Sequence, residues 1–320
     1  MQSAKRSFLS LFILLVVFGS WTTIASAAKK VIPMGDSIGV ELQLSDITVS
    51  NDVLLQNGSW LKRGDIVEMV NGTSVKKLEN IHEIIKTSKS KDSIKLTINR
   101  DEKTKKVDVK REEMTSVMNF LRDETDGIGT LTFLDPDTKQ YGALGHQIID
   151  QILQKPPQFN QGAIFYARIE HIKKSIPGEP GYKISAVEND KGQIGSIVSN
   201  SAYGIFGKWQ KPLQPAFPKA IEIMQPSEIK KGPAKLLTTI SGKKVESFDI
   251  NITKVNEKNF QIEITDPVLK EKTGGILQGM SGSPIIQNGH FAGAVTHMFI
   301  ESPEKGAALP ITEMLQNQPA

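Results

Sequence analysis

The sequence contains no cysteine, which excludes a thiolate nucleophile, a disulfide framework and any metal site built on thiolates. Histidine is scarce as well, with five residues in 320, and their spacing matches no common metal-ligand pattern. We therefore expect no metal and no other cofactor.

The chain also lacks a marked excess of charge of either sign. Its formal net charge is +4, and two of the positive charges, Lys5 and Arg6, lie near the N-terminus. So small a charge argues against a nucleic-acid partner. Hydrophobic residues make up 38% and charged residues 23%, as in globular proteins, and 320 residues leave room for two domains.

Residues 1–28 are organised like a secretory leader. Lys5 and Arg6 precede an uncharged run from Ser7 to Ala28, and residues 25–27 are the small residues that signal peptidase requires. We predict a signal peptide or a membrane anchor, because the run is long enough to cross a bilayer. Export of a protein without cysteine indicates a bacterial extracytoplasmic compartment.

Residues 31–112 have the pattern of a small α+β domain. Residues 38–42 alternate as a strand, Ile66–Val70 runs into an Asn-Gly turn, and isoleucines recur at helical spacing over residues 81–85. The alternative to a binding domain is a small spacer without a ligand.

This segment resembles a PDZ domain through Gly39-Val40, Gly64–Val67 and Val70–Gly72. In such domains an extended peptide adds as a strand beside a helix. Applied to this chain, the helix side of the groove comes from His82 or Ile85. The resemblance further implies a peptide cradle that consists of Ser37, Ile38, Gly39 and Val40.

Residues 116–320 consist of short apolar runs separated by frequent glycine and proline, which predicts barrels or a sandwich. The most informative stretch is Gly279–Pro284, followed by an apolar run, an Asn-Gly turn and a second apolar run. Trypsin-like serine peptidases present their nucleophile in this way, and a Gly-rich hairpin turn is the alternative. The glycines allow successive N–H groups to point at one spot beside the Ser281 hydroxyl.

A serine hydroxyl becomes a good nucleophile when a base takes its proton and an acid orients that base. His146 follows an apolar strand and has small neighbours that leave room for a substrate, so we rank it first as the base. Its rival, His297, lies on the strand after the nucleophile loop and could instead line a specificity pocket. From the residues alone the acid stays open among Asp135, Asp137, Asp150, Asp249 and Asp266.

Residues 31–320 resemble the sporulation stage IV protein B (SpoIVB) serine peptidases of endospore-forming bacteria. The motifs that carry this resemblance are Gly35–Val40, Gly127–Phe133, Gly142–His146, Gly204–Gly207, Gly232–Lys235, Gly275–Pro284 and Gly293–His297.

The resemblance implies a mainly β fold, in which a small α+β PDZ domain (31–112) precedes a trypsin-like double β-barrel peptidase domain (116–320). The family's histidine falls on His146, its nucleophile on Ser281 and its essential aspartate on Asp266. The N–H groups of Gly279 and Ser281 would then stabilise the oxyanion.

The resemblance also implies a role in signalling. Such a peptidase is exported into the space between forespore and mother cell, where it cleaves itself. It then cuts a regulatory subunit of an intramembrane protease complex, which activates the late mother-cell sigma factor. The PDZ ligand could come from its own chain. The alternatives are a catalytically inactive PDZ scaffold and a general envelope quality-control protease of the HtrA type.

Overall fold

The computed structural model describes residues 29–88 and 93–319. The predicted leader, residues 1–28, lies outside the described part. Within the described ranges, no helix is both long and apolar enough to cross a membrane.

The described chain is mainly β, as predicted. In chain order the strands are β1 (Lys30–Pro33), β2 (Ser37–Val49), β3 (Val53–Leu54), β4 (Trp60–Leu61), β5 (Ile66–Val70), β6 (Thr73–Ser74), β7 (Ser93–Arg100), β8 (Lys103–Lys110), β9 (Leu121–Leu134), β10 (Gln140–Ala143), β11 (Phe159–Lys173), β12 (Tyr182–Val187), β13 (Gly195–Ser201), β14 (Gly204–Trp209), β15 (Ile221–Glu222), β16 (Gly232–Thr239), β17 (Val245–Val255), β18 (Phe260–Ile264), β19 (Pro284–Gln287), β20 (His290–Phe299) and β21 (Ser302–Pro310). The α-helices are α1 (Leu78–Thr87), α2 (Met114–Met118), α3 (Pro267–Thr273) and α4 (Ile311–Gln316), and short 3-10 helices span Arg111–Glu113, Asn189–Lys191 and Pro226–Glu228.

The first barrel is a ring of six strands in the pairing order β2, β9, β10, β14, β13, β11 and back to β2. Side chains along each strand alternate between the inside and the outside of the barrel, because every second residue points into the ring. On β2, for example, Ile38, Val40 and Leu42 are buried in a core shared with Leu131 and Ile164. Ring closure therefore gives this barrel an apolar core of its own.

The second barrel is also closed, in the order β16-β17-β18-β21-β20-β19. Phe248, Ile250 and Ile252 on β17 alternate into its core, and Phe260 and Ile262 on β18 face them. The predicted double β-barrel is therefore confirmed. His146 lies in the loop that leaves β10 of the first barrel, and Ser281 lies in the loop that precedes β19 of the second.

The small α+β unit is built from β5, β7, β8 and α1 around a separate apolar core. Its predicted Asn-Gly turn is confirmed, because Asn71 and Gly72 have φ values of +50° and +82° between β5 and β6. This unit also contains the end of β2 and the start of β9, whose other ends belong to the first barrel. The unit is thus inserted between two barrel strands, whereas the sequence division at 31–112 and 116–320 had the two domains follow one another.

The predicted peptide cradle at Ser37, Ile38, Gly39 and Val40 is wrong. These residues form the first part of β2, which pairs with β9 along one edge and with β11 along the other. A peptide can add to a sheet only at an unpaired edge, and neither edge of this segment is free. Its backbone groups hold the first barrel together instead.

Candidate active site

The turn that carries Ser281 depends on its glycines. Gly279 and Gly282 have φ values of +92° and +91°, which side chains with a Cβ rarely adopt. A Cβ on Gly282 would lie 2.3 Å from the carbonyl oxygen of Thr130. The turn therefore packs directly against the backbone of β9, and Ser281 is left half-buried at its tip.

Two N–H groups of this turn, those of Gly279 and Ser281, donate to no group within residues 29–88 and 93–319. The carbonyl of Gln278 accepts from Lys183 N–H at 3.2 Å, and that of Met280 accepts from Ser283 N–H at 3.0 Å. Because the C=O and N–H of a trans peptide point in opposite directions, these bonds turn both free N–H groups the other way. The arrangement is suited to hold a developing oxyanion.

His146 lies three residues after β10 in a strained loop. Leu144, two residues before it, adopts a positive φ of +70°, and strain of this kind in a residue with a Cβ is common at active sites. The Nδ1 atom of His146 lies 2.9 Å from the carbonyl oxygen of Gln147. Since a carbonyl oxygen can only accept, Nδ1 carries the proton of the neutral imidazole and Nε2 keeps its lone pair. This is the tautomer that a general base for serine requires.

Ser281, Gly279 and His146 line one cavity of about 700 Å³. His297, the rival base, lines it too. Burial lowers the pKa of His297, and the charge of the nearby His146 lowers it further. Of the described residues that line this cavity, none is an aspartate or a glutamate.

Asp266 lies outside this cavity, at the N-cap of α3. Its Oδ1 accepts from the N–H groups of Val268 and Leu269 at 2.9 and 3.0 Å, and its Oδ2 accepts from Asp249 N–H at 3.3 Å. Partial burial raises the pKa of Asp266, but these backbone bonds outweigh it and the net pKa is below its usual value. The structure brings Ser281 and His146 to one cavity but not Asp266, whose role as triad acid stays a prediction.

The family model of the SpoIVB peptidase S55 matches residues 113–315. The chain belongs to this family. A PDZ domain model matches residues 35–110, so the S55 peptidase carries a PDZ domain at its N-terminal side. Family membership makes the chain a serine peptidase and its substrates proteins, as predicted.

Comparison with curated proteins gives no significant match. Among solved structures, the chain is similar to the active form of the Rv3671c protease from M. tuberculosis, with 15% identity and a TM-score of 0.37 over 60% of this chain and 72% of that one. A serine-to-alanine mutant of the same protease, in an inactive form, gives 14% identity and a TM-score of 0.34 over 60% of this chain and 84% of that one.

Sequence reasoning missed Lys183, a buried lysine of the S55 peptidase that lines the same cavity. Its stem lies beside Gly279, and its amine donates to the Thr238 hydroxyl at 3.3 Å. Burial lowers the pKa of Lys183 to about 7. No local signal marks this residue, because a lysine in an alternating strand usually faces solvent.

Proposed function

We propose that this S55 peptidase is an exported endopeptidase that signals by self-cleavage and by limited proteolysis of a membrane-associated regulatory protein. The event that it triggers is activation of the late sigma factor during endospore formation. The observation that carries this proposal is the family match over residues 113–315, which coincides with the cavity that Ser281 and His146 share.

In the proposed mechanism, Ser281 Oγ attacks the scissile carbonyl carbon while His146 Nε2 takes its proton. The N–H groups of Gly279 and Ser281 hold the oxyanion of the tetrahedral intermediate. His146 then gives the proton to the leaving amine, and water hydrolyses the acyl-enzyme by the same route. Throughout these steps the carbonyl of Gln147 accepts a hydrogen bond from the Nδ1–H of His146, at 2.9 Å.

Asp266 has a different part in this proposal. Its cap fixes the start of α3, and the chain runs from the end of this helix through Gly274 and Gly275 into the nucleophile turn. Asp266 therefore acts on Ser281 through the segment between them, without touching the imidazole.

Exchange of Asp266 for asparagine separates the two roles. Asparagine caps helices about as well as aspartate, so we expect Asp266→Asn to keep kcat within a few-fold, and Asp266→Ala to cost about 1 kcal/mol of stability. A triad acid would behave otherwise, since its exchange for asparagine lowers kcat by about 10⁴. Peptidase assays and thermal unfolding of both variants distinguish these outcomes, and a 10⁴-fold loss in Asp266→Asn restores the triad assignment.

The location and partners are part of the same proposal. The leader takes the peptidase across the cytoplasmic membrane into the space between forespore and mother cell, secreted or anchored. Its substrate there is the regulatory subunit of an intramembrane protease complex. The PDZ unit would take a peptide from the peptidase's own chain. In the PDZ unit, β9 already pairs with one edge of β2, and its Asp123 accepts a hydrogen bond from Leu78 N–H at the start of α1. A peptide that adds to this unit must therefore pair with a strand edge that β9 does not occupy.

The signalling role can be tested in a sporulating host. We expect a strain with Ser281→Ala in place of the wild type to accumulate the uncut regulatory subunit and to lose late sigma-factor reporter activity. Ser283→Ala, which alters the other serine of the same motif, serves as the matched control. This strain should still cleave the regulatory subunit and should keep its reporter activity.

Late sigma-factor signalling would be excluded by either of two results. One is expression of the peptidase throughout vegetative growth, and the other is normal reporter activity in the Ser281→Ala strain. Digestion of unfolded casein by the purified enzyme as fast as cleavage of the regulatory subunit would favour general quality control.

A further inference from the structure

Thr130, on β9 of the first barrel, contacts both catalytic loops at once. Its hydroxyl donates to the carbonyl of Gly279 at 2.8 Å, and its N–H donates to the carbonyl of Ser281 at 3.1 Å. Its own carbonyl accepts from Leu144 N–H at 3.2 Å, two residues before His146. The side chain is fully buried, so water does not compete for these bonds.

We propose that Thr130 is a positioning residue that holds the nucleophile turn in register with the histidine loop. The two loops come from different barrels and pack directly on each other, since a Cβ on Gly282 would lie 2.6 Å from Leu144 N. Thr130 adds three hydrogen bonds to this contact: two to the nucleophile turn, at Gly279 and Ser281, and one to the loop of His146. This inference rests on the proposed assignment of Ser281 as nucleophile.

The hydroxyl carries the part of this role that can be tested. The bond to Gly279 C=O fixes the peptide between Gly279 and Met280, which separates the two N–H groups of the proposed oxyanion hole. The N–H of the same peptide, on Met280, donates to Leu277 C=O at 3.0 Å, so loss of the Thr130 hydroxyl removes one of its two anchors and lets the two donors shift from their common point. A misplacement of about 1 Å in a catalytic group can reduce the rate by about 10².

Thr132 provides a matched control on the same strand. It lies two residues further along β9, and it is also fully buried. Its hydroxyl has no hydrogen-bond partner in the structure. Thr→Val at residue 132 therefore makes the same chemical change as at residue 130 without removing a bond.

The experiment compares full-length Thr130→Val, Thr130→Ser and Thr132→Val with the wild type by the second-order rate of labelling with a fluorophosphonate probe. We expect Thr130→Val to label roughly 10- to 100-fold more slowly at a temperature where all variants are folded, as monitored by circular dichroism. Thr130→Ser should restore the rate to within about three-fold, and Thr132→Val should match the wild type.

Equal labelling of Thr130→Val and Thr132→Val, or no rescue by serine, would overturn the role of Thr130. Ser281→Ala in the same assay distinguishes this failure from failure of the proposed function. If Ser281→Ala is unlabelled while Thr130→Val is labelled normally, only the role of Thr130 is wrong. If Ser281→Ala is labelled like the wild type, the nucleophile assignment itself is wrong.

Discussion

Replacement of Ser281 by alanine is expected to abolish both peptide hydrolysis and labelling by a fluorophosphonate probe, while the protein stays folded. The hydroxyl is the atom that bonds to the substrate carbon and to the probe phosphorus, and no neighbouring group can replace it. Loss of a serine nucleophile lowers kcat by about 10⁶ in other serine peptidases. Gel fluorescence after labelling and a self-cleavage assay measure the loss.

Ser283→Ala is the control for this experiment. Ser283 belongs to the same Gly-x-Ser-Gly-x-Pro motif, but it is fully buried and its hydroxyl lies 3.1 Å from that of Thr238. We expect this variant to keep its labelling and to lose about 1 kcal/mol of stability with that bond. Equal labelling of wild type and Ser281→Ala would show that the nucleophile has been assigned wrongly.

The sequence was most informative where the signal is local. A nucleophile turn needs glycines beside the serine, and the glycines at 279 and 282 adopt positive φ as that requirement predicts. Strand alternation and turn residues likewise predicted barrels, and two closed six-stranded rings are present. In each case the physical cause lies within a few residues of the pattern that reports it.

The sequence was least informative where pairing between distant strands decides the outcome. Ser37–Val40 reads equally well as a ligand-binding edge or as a barrel strand, and the difference lies in its pairing with β9 and β11. The same holds for Thr130, an ordinary strand threonine until β9 meets the nucleophile turn. Asp266 is a different case, because its signal is local: an Asp-Pro pair before a short helix is typical of an N-cap.

The two histidines of the cavity are expected to differ sharply on removal. We predict that His146→Ala lowers kcat/KM by about 10⁴ to 10⁶, because the serine loses its base. His297→Ala should stay within about ten-fold of the wild type, since His297 at most lines the substrate pocket. Peptidase and fluorophosphonate-labelling rates of both variants measure the difference.

A proton NMR titration provides an independent check on the geometry. Burial lowers the pKa of His297 and the charge of His146 lowers it further, so loss of that charge in His146→Ala should raise the pKa of His297 part of the way toward its ordinary value. The sign follows because a nearby positive charge disfavours a second one, and alanine cannot carry it. Unfolding temperatures of both variants show whether either loss is structural. Activity that survives in His146→Ala but vanishes in His297→Ala would reverse the assignment and make His297 the base.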